Sequence, residues 1–220
     1  MARRKKEPVE IHRSRIADAA SALFLENGIT AVSMDEIAKT SGYSKPTLYV
    51  YFKNKAEIVS VLTLDSMKKL FACLSLAVNE GTCTKEQYYG ICRSLVQYQE
   101  EFPFYFQTAL DHINTDIQSA DCPPQDKETA KIGEAINGLL EQFLMAGMEN
   151  GDFRKNLEII PTIFHFWGML AGLILLASKK EDYIKMSVGL SKQEFLEQGF
   201  DLLYRSVEAM QERRWRNQDE

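Results

Sequence analysis

The segment Ser33–Lys55, SMDEIAKTSGYSKPTLYVYFKNK, restricts the possible folds of this chain more than any other part of it. Ser33 and Glu36 have the spacing of a capping box, in which side chain and backbone satisfy each other at a helix N-terminus. Gly42 marks the end of that helix, and Ser44 offers a second N-cap with proline following in the first turn. Two short helices joined by a tight glycine turn are therefore predicted.

The second of these helices, predicted at Lys45–Tyr51, has two different faces. Leu48 and Phe52 lie on one side and are expected to pack against the preceding helices. The outward side carries the residues Pro46, Thr47, Tyr49, Val50 and Lys53. Such a face suits the DNA major groove, where lysine meets guanine acceptors and apolar groups meet thymine methyls. The layout is that of a helix-turn-helix; the alternative is a compact three-helix corner with a solvated face.

Positions around this unit are suited to the DNA backbone. Lys53 and Lys55 flank the end of the second helix, and Ser33 stands at the start of the first, where amide groups attract phosphates. The basic arm Arg3–Lys6 either enters a minor groove or remains a flexible tail. The net charge of -5 is uneven, because residues 1–60 hold 10 Lys or Arg against 7 Asp or Glu, and the remainder hold 16 against 24. A basic head on an acidic body fits local phosphate contact.

The rest of the chain is also predicted to be helical, because no apolar alternation with a period of two residues runs for any length. Beyond the two short helices, we expect helices near 10–27, 54–76, 84–100, 103–117, 127–150, 160–178 and 191–214. The expected fold class is all-α with about nine helices. A helix-turn-helix head occupies residues 1–55, beginning with a flexible basic arm at 1–9, and a larger helical body occupies 56–220.

One stretch has two interpretations. From Ile159 to Ser178 the sequence contains no Asp, Glu, Lys or Arg, which is compatible with a membrane-spanning helix. A helix covered by protein on all sides is equally apolar. Pro161, His165 and the soluble pattern of the remaining helices favour the second interpretation, and no membrane partner is expected.

Enzymatic and metal chemistry find little support in the sequence. None of the common nucleophile, zinc-protease, phosphate-loop or dinucleotide motifs occurs. His112 and Asp116 share one helix face, but two ligands do not make a metal site. The four cysteines lack paired zinc-type spacing and are expected to be reduced thiols. We therefore expect no catalytic residues, no metal and no cofactor.

The segment resembles the DNA-binding head of TetR-family transcriptional regulators. The motifs that carry the resemblance are Thr47-Leu48-Tyr49, Phe52-Lys53-x-Lys55, Met34-x-x-Ile37-Ala38 and Gly42-Tyr43-Ser44. The resemblance implies base or groove contacts from Lys45, Pro46 and Thr47, and phosphate contacts from Ser33, Tyr49 and Lys55. With the positions inferred from the pattern, the predicted DNA-binding set is Ser33, Ser44, Lys45, Pro46, Thr47, Tyr49, Lys53 and Lys55.

The resemblance also implies a cytoplasmic homodimer that binds a palindromic operator of double-stranded DNA. Two heads on one duplex need a two-fold partner, which the last two helices are expected to provide. The predicted dimer residues are Phe164, Gly168, Ala171, Gly172, Leu175, Phe200, Leu203 and Val207. The alternative is that the apolar residues of both helices pack only in the core of a single chain.

A small-molecule effector is the third implication of the resemblance. Aromatic residues are common in the body, and apolar walls with a few polar groups are typical of ligand pockets. The predicted pocket residues are Tyr98, Phe104, Phe106, Gln107, Phe143 and Trp167. The alternative for each aromatic is plain core packing.

The predicted function is a ligand-responsive regulator that acts as a repressor and is released by a small lipophilic effector. The alternatives are an effector-independent DNA-binding or scaffolding protein of the same fold, and an enzyme built on a helical scaffold.

Overall fold

A computed structural model describes residues 7–111, 119 and 122–209, and over these ranges the chain forms ten helices and no strand. The all-α prediction is confirmed. The helices are α1 (Val9–Asn27), α2 (Met34–Ser41), α3 (Lys45–Tyr51), α4 (Lys55–Glu80), α5 (Thr84–Glu101), α6 (Pro103–Asp111), α7 (Pro124–Glu149), α8 (Ile159–Lys179), α9 (Glu181–Val188) and α10 (Lys192–Val207).

The chain divides into two compact units, and neither is one continuous stretch of sequence. The first unit combines the chain up to Ala72 with Gln97–Glu134, and the second combines Cys73–Val96 with the chain from Ala135 onward. Helices α4, α5 and α7 each contribute residues to both units. The functional boundary predicted after residue 55 falls inside the first unit and stays a prediction.

The core of the first unit is built around α1. Ile16 and Phe24 are buried eight residues apart, on one face of this helix. Ile37 of α2 and Leu48 of α3 are both fully buried. The ring of Phe24 also lies 5.8 Å from that of Phe104, which brings α6 into the same core.

Two buried hydroxyl groups of the first unit are hydrogen-bonded to backbone carbonyls. The hydroxyl of Ser66, which is fully buried, donates to the carbonyl of Tyr105 over 2.7 Å. The Tyr98 hydroxyl donates to the carbonyl of Ser66 over 2.8 Å. Because a buried polar group costs free energy unless it is paired, these bonds fix α4 against the segment Gln97–Asp111.

The second unit packs α8, α9 and α10 together. The buried Tyr88 of α5 donates from its hydroxyl to the carbonyl of Phe200 over 2.9 Å, linking α5 to α10. Gly147 in α7 lies so close to Phe153 that a Cβ atom at this position would overlap the aromatic ring. Phe153 in turn forms an isolated antiparallel bridge with Glu208, directly after α10.

One helix was not predicted, and another ends well before its predicted boundary. The unpredicted helix is α9, which has eight residues and buries only Ile184. The predicted helix at 191–214 ends at Val207, because Glu208 leaves the helix to pair with Phe153. The arm Arg3–Lys6, the pair His112 and Asp116, and the end of the helix predicted at 103–117 lie outside the described residues.

Candidate functional site

The predicted capping box at the start of α2 is confirmed. The backbone amide of Glu36 donates to the Ser33 hydroxyl over 3.3 Å, and the amide of Ser33 donates to the Glu36 carboxylate over 2.7 Å. These hydrogen bonds from Ser33 hold the pKa of Glu36 below its ordinary value. The box fixes where α2 begins and therefore sets the register of the whole unit.

The turn between α2 and α3 depends on glycine. Gly42 has φ 76° and ψ 18°, a left-handed conformation in which a side chain would be strained. The amide of Tyr43 then donates to the carbonyl of Ala38 over 2.9 Å and closes the turn. Ser44 caps α3, because its hydroxyl accepts from the amide of Thr47 over 3.3 Å.

Helix α3 is held from behind and open in front. Leu48 and Phe52 are 0% and 1% exposed, whereas Tyr49 and Val50 are 44% and 78% exposed. Thr47 is half-buried, with its hydroxyl 2.7 Å from that of Ser44. Helix α3 therefore presents an exposed, partly apolar outer face, as the sequence predicted for entry into a groove.

Lys45, at the first position of α3, is exposed and forms an ion pair. Its ammonium lies 2.7 Å from the carboxylate of Asp35 in α2. The hydrogen bond and the charge of Asp35 raise the pKa of Lys45. Both side chains are more than half exposed, so an alternative partner replaces this pair at little cost.

Arg13 ties α1 to both ends of the connection between α3 and α4. Its guanidinium donates to the carbonyl of Tyr51 and, over 3.0 Å, to the carboxylate of Glu57. The same group lies 4.1 Å above the ring of Phe52. Glu57 also accepts from the amide of Lys53 over 2.8 Å. The last turn of α3 and the first turn of α4 are thus joined through one cation.

An aromatic cluster supports the same region from α1. His12 has its Nδ1 atom 2.7 Å from the Tyr43 hydroxyl, and its ring stacks on Tyr51 at 5.1 Å. Sequence reasoning did not find this cluster or the role of Arg13, because the partners are separated by about thirty or more residues in the chain.

The prediction that Lys55 contacts a phosphate is corrected. Its ammonium donates to the carbonyls of Ile29, Thr30 and Val32 over 2.6, 3.2 and 2.7 Å. A lysine has three N–H donors, so none remains for a phosphate in this arrangement. Lys55 instead fixes the loop between α1 and α2 to the start of α4. Lys53 is exposed and remains a predicted phosphate contact, as do Ser33 and Tyr49.

Part of the predicted dimer surface lies on the outside of the second unit. Phe164 is 50% exposed, and Gly168 and Gly172 follow on the same face of α8 at helical spacing. A Cβ atom at either glycine would meet nothing within 4 Å. Leu175 and Leu203 are half-buried. This face is therefore apolar, smooth and open.

Three other predicted dimer residues are corrected. Ala171, Phe200 and Val207 are 5%, 4% and 3% exposed, because they pack into the core of the second unit.

Helix α8 is, within the described ranges, the helix that is long and apolar enough to cross a membrane, and 28% of its most apolar window is buried. The packing of α8 against α9 and α10 accounts for its buried part.

The predicted effector pocket is corrected in part. Tyr98, Phe104 and Phe106 are buried in the first unit, and Gln107 is half-buried there; their aromatic rings are core residues. Phe143 and Trp167 belong to the second unit, where both line a cavity of about 50 Å³. Two of the six predicted residues therefore line this cavity.

The cavity is lined by residues of five helices, α4, α5, α7, α8 and α10, and by Phe153, which lies outside the helices. Its walls contain no Asp, Glu, Lys, Arg or His. The lining residues are Leu74 of α4; Tyr88, Ile91 and Leu95 of α5; Leu140, Phe143 and Leu144 of α7; Thr162, Ile163, Phe166, Trp167 and Leu170 of α8; and Phe153 and Val207. Sequence reasoning missed most of them, because aliphatic residues that line a cavity have the same helical spacing as residues that fill a core.

The fold and the exposed face of α3 define a protein with a helix-turn-helix among the ten helices of its described residues. A sequence profile of the bacterial regulatory proteins of the tetR family matches residues 16–62. The chain is 32% identical over 205 residues to the transcriptional regulator SrpR of Pseudomonas putida, in an alignment that covers 77% of this chain and 90% of SrpR. The chain belongs to the TetR family of transcriptional regulators.

Solved structures of low sequence identity share the fold. The ketosteroid transcriptional regulator KstR2 of Mycobacterium tuberculosis matches with a TM-score of 0.68 and 19% identity, over 90% of this chain and 95% of KstR2. FadR of Bacillus subtilis, solved in complex with stearoyl-CoA, matches with a TM-score of 0.65 and 17% identity, over 88% of this chain and 98% of FadR.

Proposed function

We propose that this chain is a ligand-responsive transcriptional repressor of the bacterial cytoplasm that binds a palindromic operator as a homodimer. The observation that carries the proposal is α3, whose buried Leu48 and Phe52 leave the opposite face open to a major groove. Family membership supports transcriptional regulation, and the site geometry supports α3 as the element that reads DNA.

In the proposed function, the first turn of α3 reads the bases of the operator. Lys45, Pro46 and Thr47 occupy the first turn of α3, which is the part of a recognition helix that contacts base edges. Lys45 exchanges its exposed ion pair with Asp35 for guanine acceptors, since neither partner is desolvated in the pair. Ser33, Tyr49 and Lys53 are placed on the DNA backbone, where contacts set orientation rather than sequence preference.

The second part concerns the homodimer. One head reads only a few base pairs, so two heads about 34–36 Å apart are needed for a specific operator. The apolar face of α8 through Phe164, Gly168 and Gly172 supports pairing of two copies, because glycines allow close approach of helix backbones. A two-fold axis across this face makes the two surfaces self-complementary.

The third part concerns release by a small lipophilic effector. The second unit contains an apolar cavity, and α4 contributes Leu74 to its wall before running back to Lys55 beside the head. A ligand that displaces α4 therefore displaces its first turn as well. Thermodynamic linkage then requires that bound effector weakens operator binding, and bound operator weakens effector binding, by the same free energy, typically ~1–3 kcal/mol.

The alternatives have weaker support. An enzyme needs several titratable groups that converge on a cavity, whereas the wall of this cavity holds a single one, Tyr88, whose hydroxyl already donates to the carbonyl of Phe200. An effector-independent DNA-binding protein would share α3 but would give the same operator affinity at every ligand concentration.

Selection of duplexes from a random pool, followed by a gel shift, tests the proposal. We expect enrichment of an inverted repeat whose half-sites lie about one helical turn apart. Lys45→Ala is expected to weaken binding to the selected operator by ~1–3 kcal/mol and to relax preference at one position of each half-site. If the purified protein shifts no duplex at low salt, the proposed function is wrong.

A further inference from the structure

The two hydroxyl groups in the wall of the cavity of the second unit already have partners, and the other polar side-chain atom of the wall is the indole nitrogen of Trp167. The Tyr88 hydroxyl donates to the carbonyl of Phe200 over 2.9 Å, and the Thr162 hydroxyl donates to the carbonyl of Glu158 over 2.7 Å. Each hydroxyl has a single hydrogen to donate, so neither retains one for a ligand. Burial raises the pKa of Tyr88, which keeps this hydroxyl neutral.

A charged guest is excluded from the cavity by its surroundings. An ion transferred to an apolar site without a partner loses its hydration and gains nothing in return. Water is disfavoured as well, because an ordered water needs two to four polar partners. The groups that remain are the hydrocarbon surfaces of Leu140, Leu144, Ile163 and Leu170 and the rings of aromatic residues. Such a wall favours hydrocarbon alone.

The volume of the cavity limits the length of the guest. About 10–15 Å³ is needed for one water-sized group, so 50 Å³ accommodates roughly three to five. A methylene is of similar size, and the cavity therefore matches a short aliphatic segment. Trp167 is half-buried at this wall, which leaves its ring in contact with both the guest and the exterior.

We infer that the cavity of the second unit is the binding site for the uncharged alkyl end of a ligand, whose polar group stays outside the cavity. This inference rests on the proposed effector response and specifies which part of the effector is buried and where. The chemical class is an aliphatic chain that ends in a methyl group. The nature of its head group is not restricted by the cavity.

The two tryptophans of the chain make a direct test possible. Trp167 lines the cavity, and the other tryptophan, Trp215, lies outside the described residues. In Trp215→Phe protein, the emission of Trp167 reports on the cavity alone. The probes are octanoate and 8-aminooctanoate, which have the same carboxylate head and differ by a charged amine at the far end.

Octanoate is expected to shift the Trp167 emission with a saturable dependence on concentration. 8-Aminooctanoate is expected to bind at least 100-fold more weakly, because its ammonium would have to enter the apolar wall. Shortening the chain from hexanoate to butyrate, from five carbons beyond the carboxylate to three, is expected to weaken binding about 10-fold, from a loss of about 3- to 4-fold for each buried methylene. Equal affinity for octanoate and 8-aminooctanoate overturns the inference.

Two variants locate the site. Ile163→Phe fills the cavity and is expected to weaken octanoate binding at least 10-fold. Met145→Phe, on the exposed side of α7, is the matched control and is expected to leave octanoate affinity unchanged. If Ile163→Phe does not fold, Leu140→Phe makes the same comparison, because Leu140 lines the cavity at a half-buried position. If a folded cavity variant binds octanoate as tightly as the original protein does, the inference is also overturned.

A gel shift on the same Trp215→Phe protein separates the two proposals. Operator binding without any octanoate response overturns the alkyl site and leaves the regulator standing. An octanoate response without binding to any duplex overturns the regulator and leaves the alkyl site standing.

Discussion

Replacement of Lys55 by methionine distinguishes a structural lysine from a DNA contact. The substitution keeps the aliphatic stem and removes the ammonium that donates to the carbonyls of Ile29, Thr30 and Val32. A hydrogen bond to a charged group contributes about 1.5–3 kcal/mol, but water reaches this half-buried site and replaces part of each bond. We therefore expect the free energy of unfolding to fall by about 2–3 kcal/mol in total, measured by urea denaturation.

Lys53→Met is the matched control, because Lys53 is two positions away, exposed, and without an ion-pair partner among the described residues. We expect it to leave the free energy of unfolding within about 0.5 kcal/mol of the original. Its effect should appear in DNA binding, where loss of one phosphate contact lowers the slope of log affinity against log salt by about 0.9.

The salt dependence decides the assignment of Lys55. With no donor free for phosphate, Lys55→Met is expected to leave the salt slope unchanged while it lowers stability. If instead the variant keeps its stability within about 0.5 kcal/mol and loses about one unit of slope per head, Lys55 binds phosphate and the structural role is refuted.

Further predictions concern packing, pH, assembly and base reading. Gly147→Ala should lower the free energy of unfolding by about 1–3 kcal/mol in urea denaturation, because the added Cβ atom overlaps a buried ring. Gly138→Ala is the control: its Cβ atom enters open space, so the substitution should be neutral or stabilising by up to about 1 kcal/mol. Glu36→Gln should lower the urea midpoint at pH 7, and the difference from the original should shrink as the pH falls through the lowered native pKa, where the carboxylate of the original protein is lost too. Gly172→Gln should give monomers in sedimentation equilibrium with unchanged helical circular dichroism. A side chain at position 172 meets nothing within its own chain, but it would collide with the second copy in the proposed dimer. A variant that dimerises as strongly as the original would exclude this face as the dimer interface. Thr47→Ala should weaken operator binding by ~1–3 kcal/mol in gel shifts and leave binding to unrelated duplexes unchanged.

The sequence predicted the helix-turn-helix well because its determinants are local. The cap at Ser33, the glycine at 42 and the cap at Ser44 act over three to five residues, and α3 begins and ends where the pattern placed it. The inward face of Leu48 and Phe52 followed from helical periodicity alone. Capping and periodicity require no knowledge of distant partners.

The roles of the remaining site residues depend on distant partners. Lys55 donates to carbonyls 23 to 26 positions away, and a lysine near the end of a recognition helix gives no sign of this in the sequence. In α8, nearly every residue is apolar, so periodicity does not separate the buried Ala171 from the exposed Gly172. The aromatic-rich stretch around Phe104 suggested a pocket, but its rings fill the core of the first unit.

The discontinuity of the first unit limits where the chain can be cut. A fragment that stops at Ala72 lacks Gln97–Glu134 and therefore loses the ring that packs on Phe24 and the carbonyl that accepts from Ser66. An apolar ring and a buried hydroxyl would then face solvent. Limited proteolysis between the two stretches is expected to yield a nicked complex rather than a freely dissociating DNA-binding peptide. Transplanting the helix-turn-helix onto another protein would require the α5–α6 segment to be included with it.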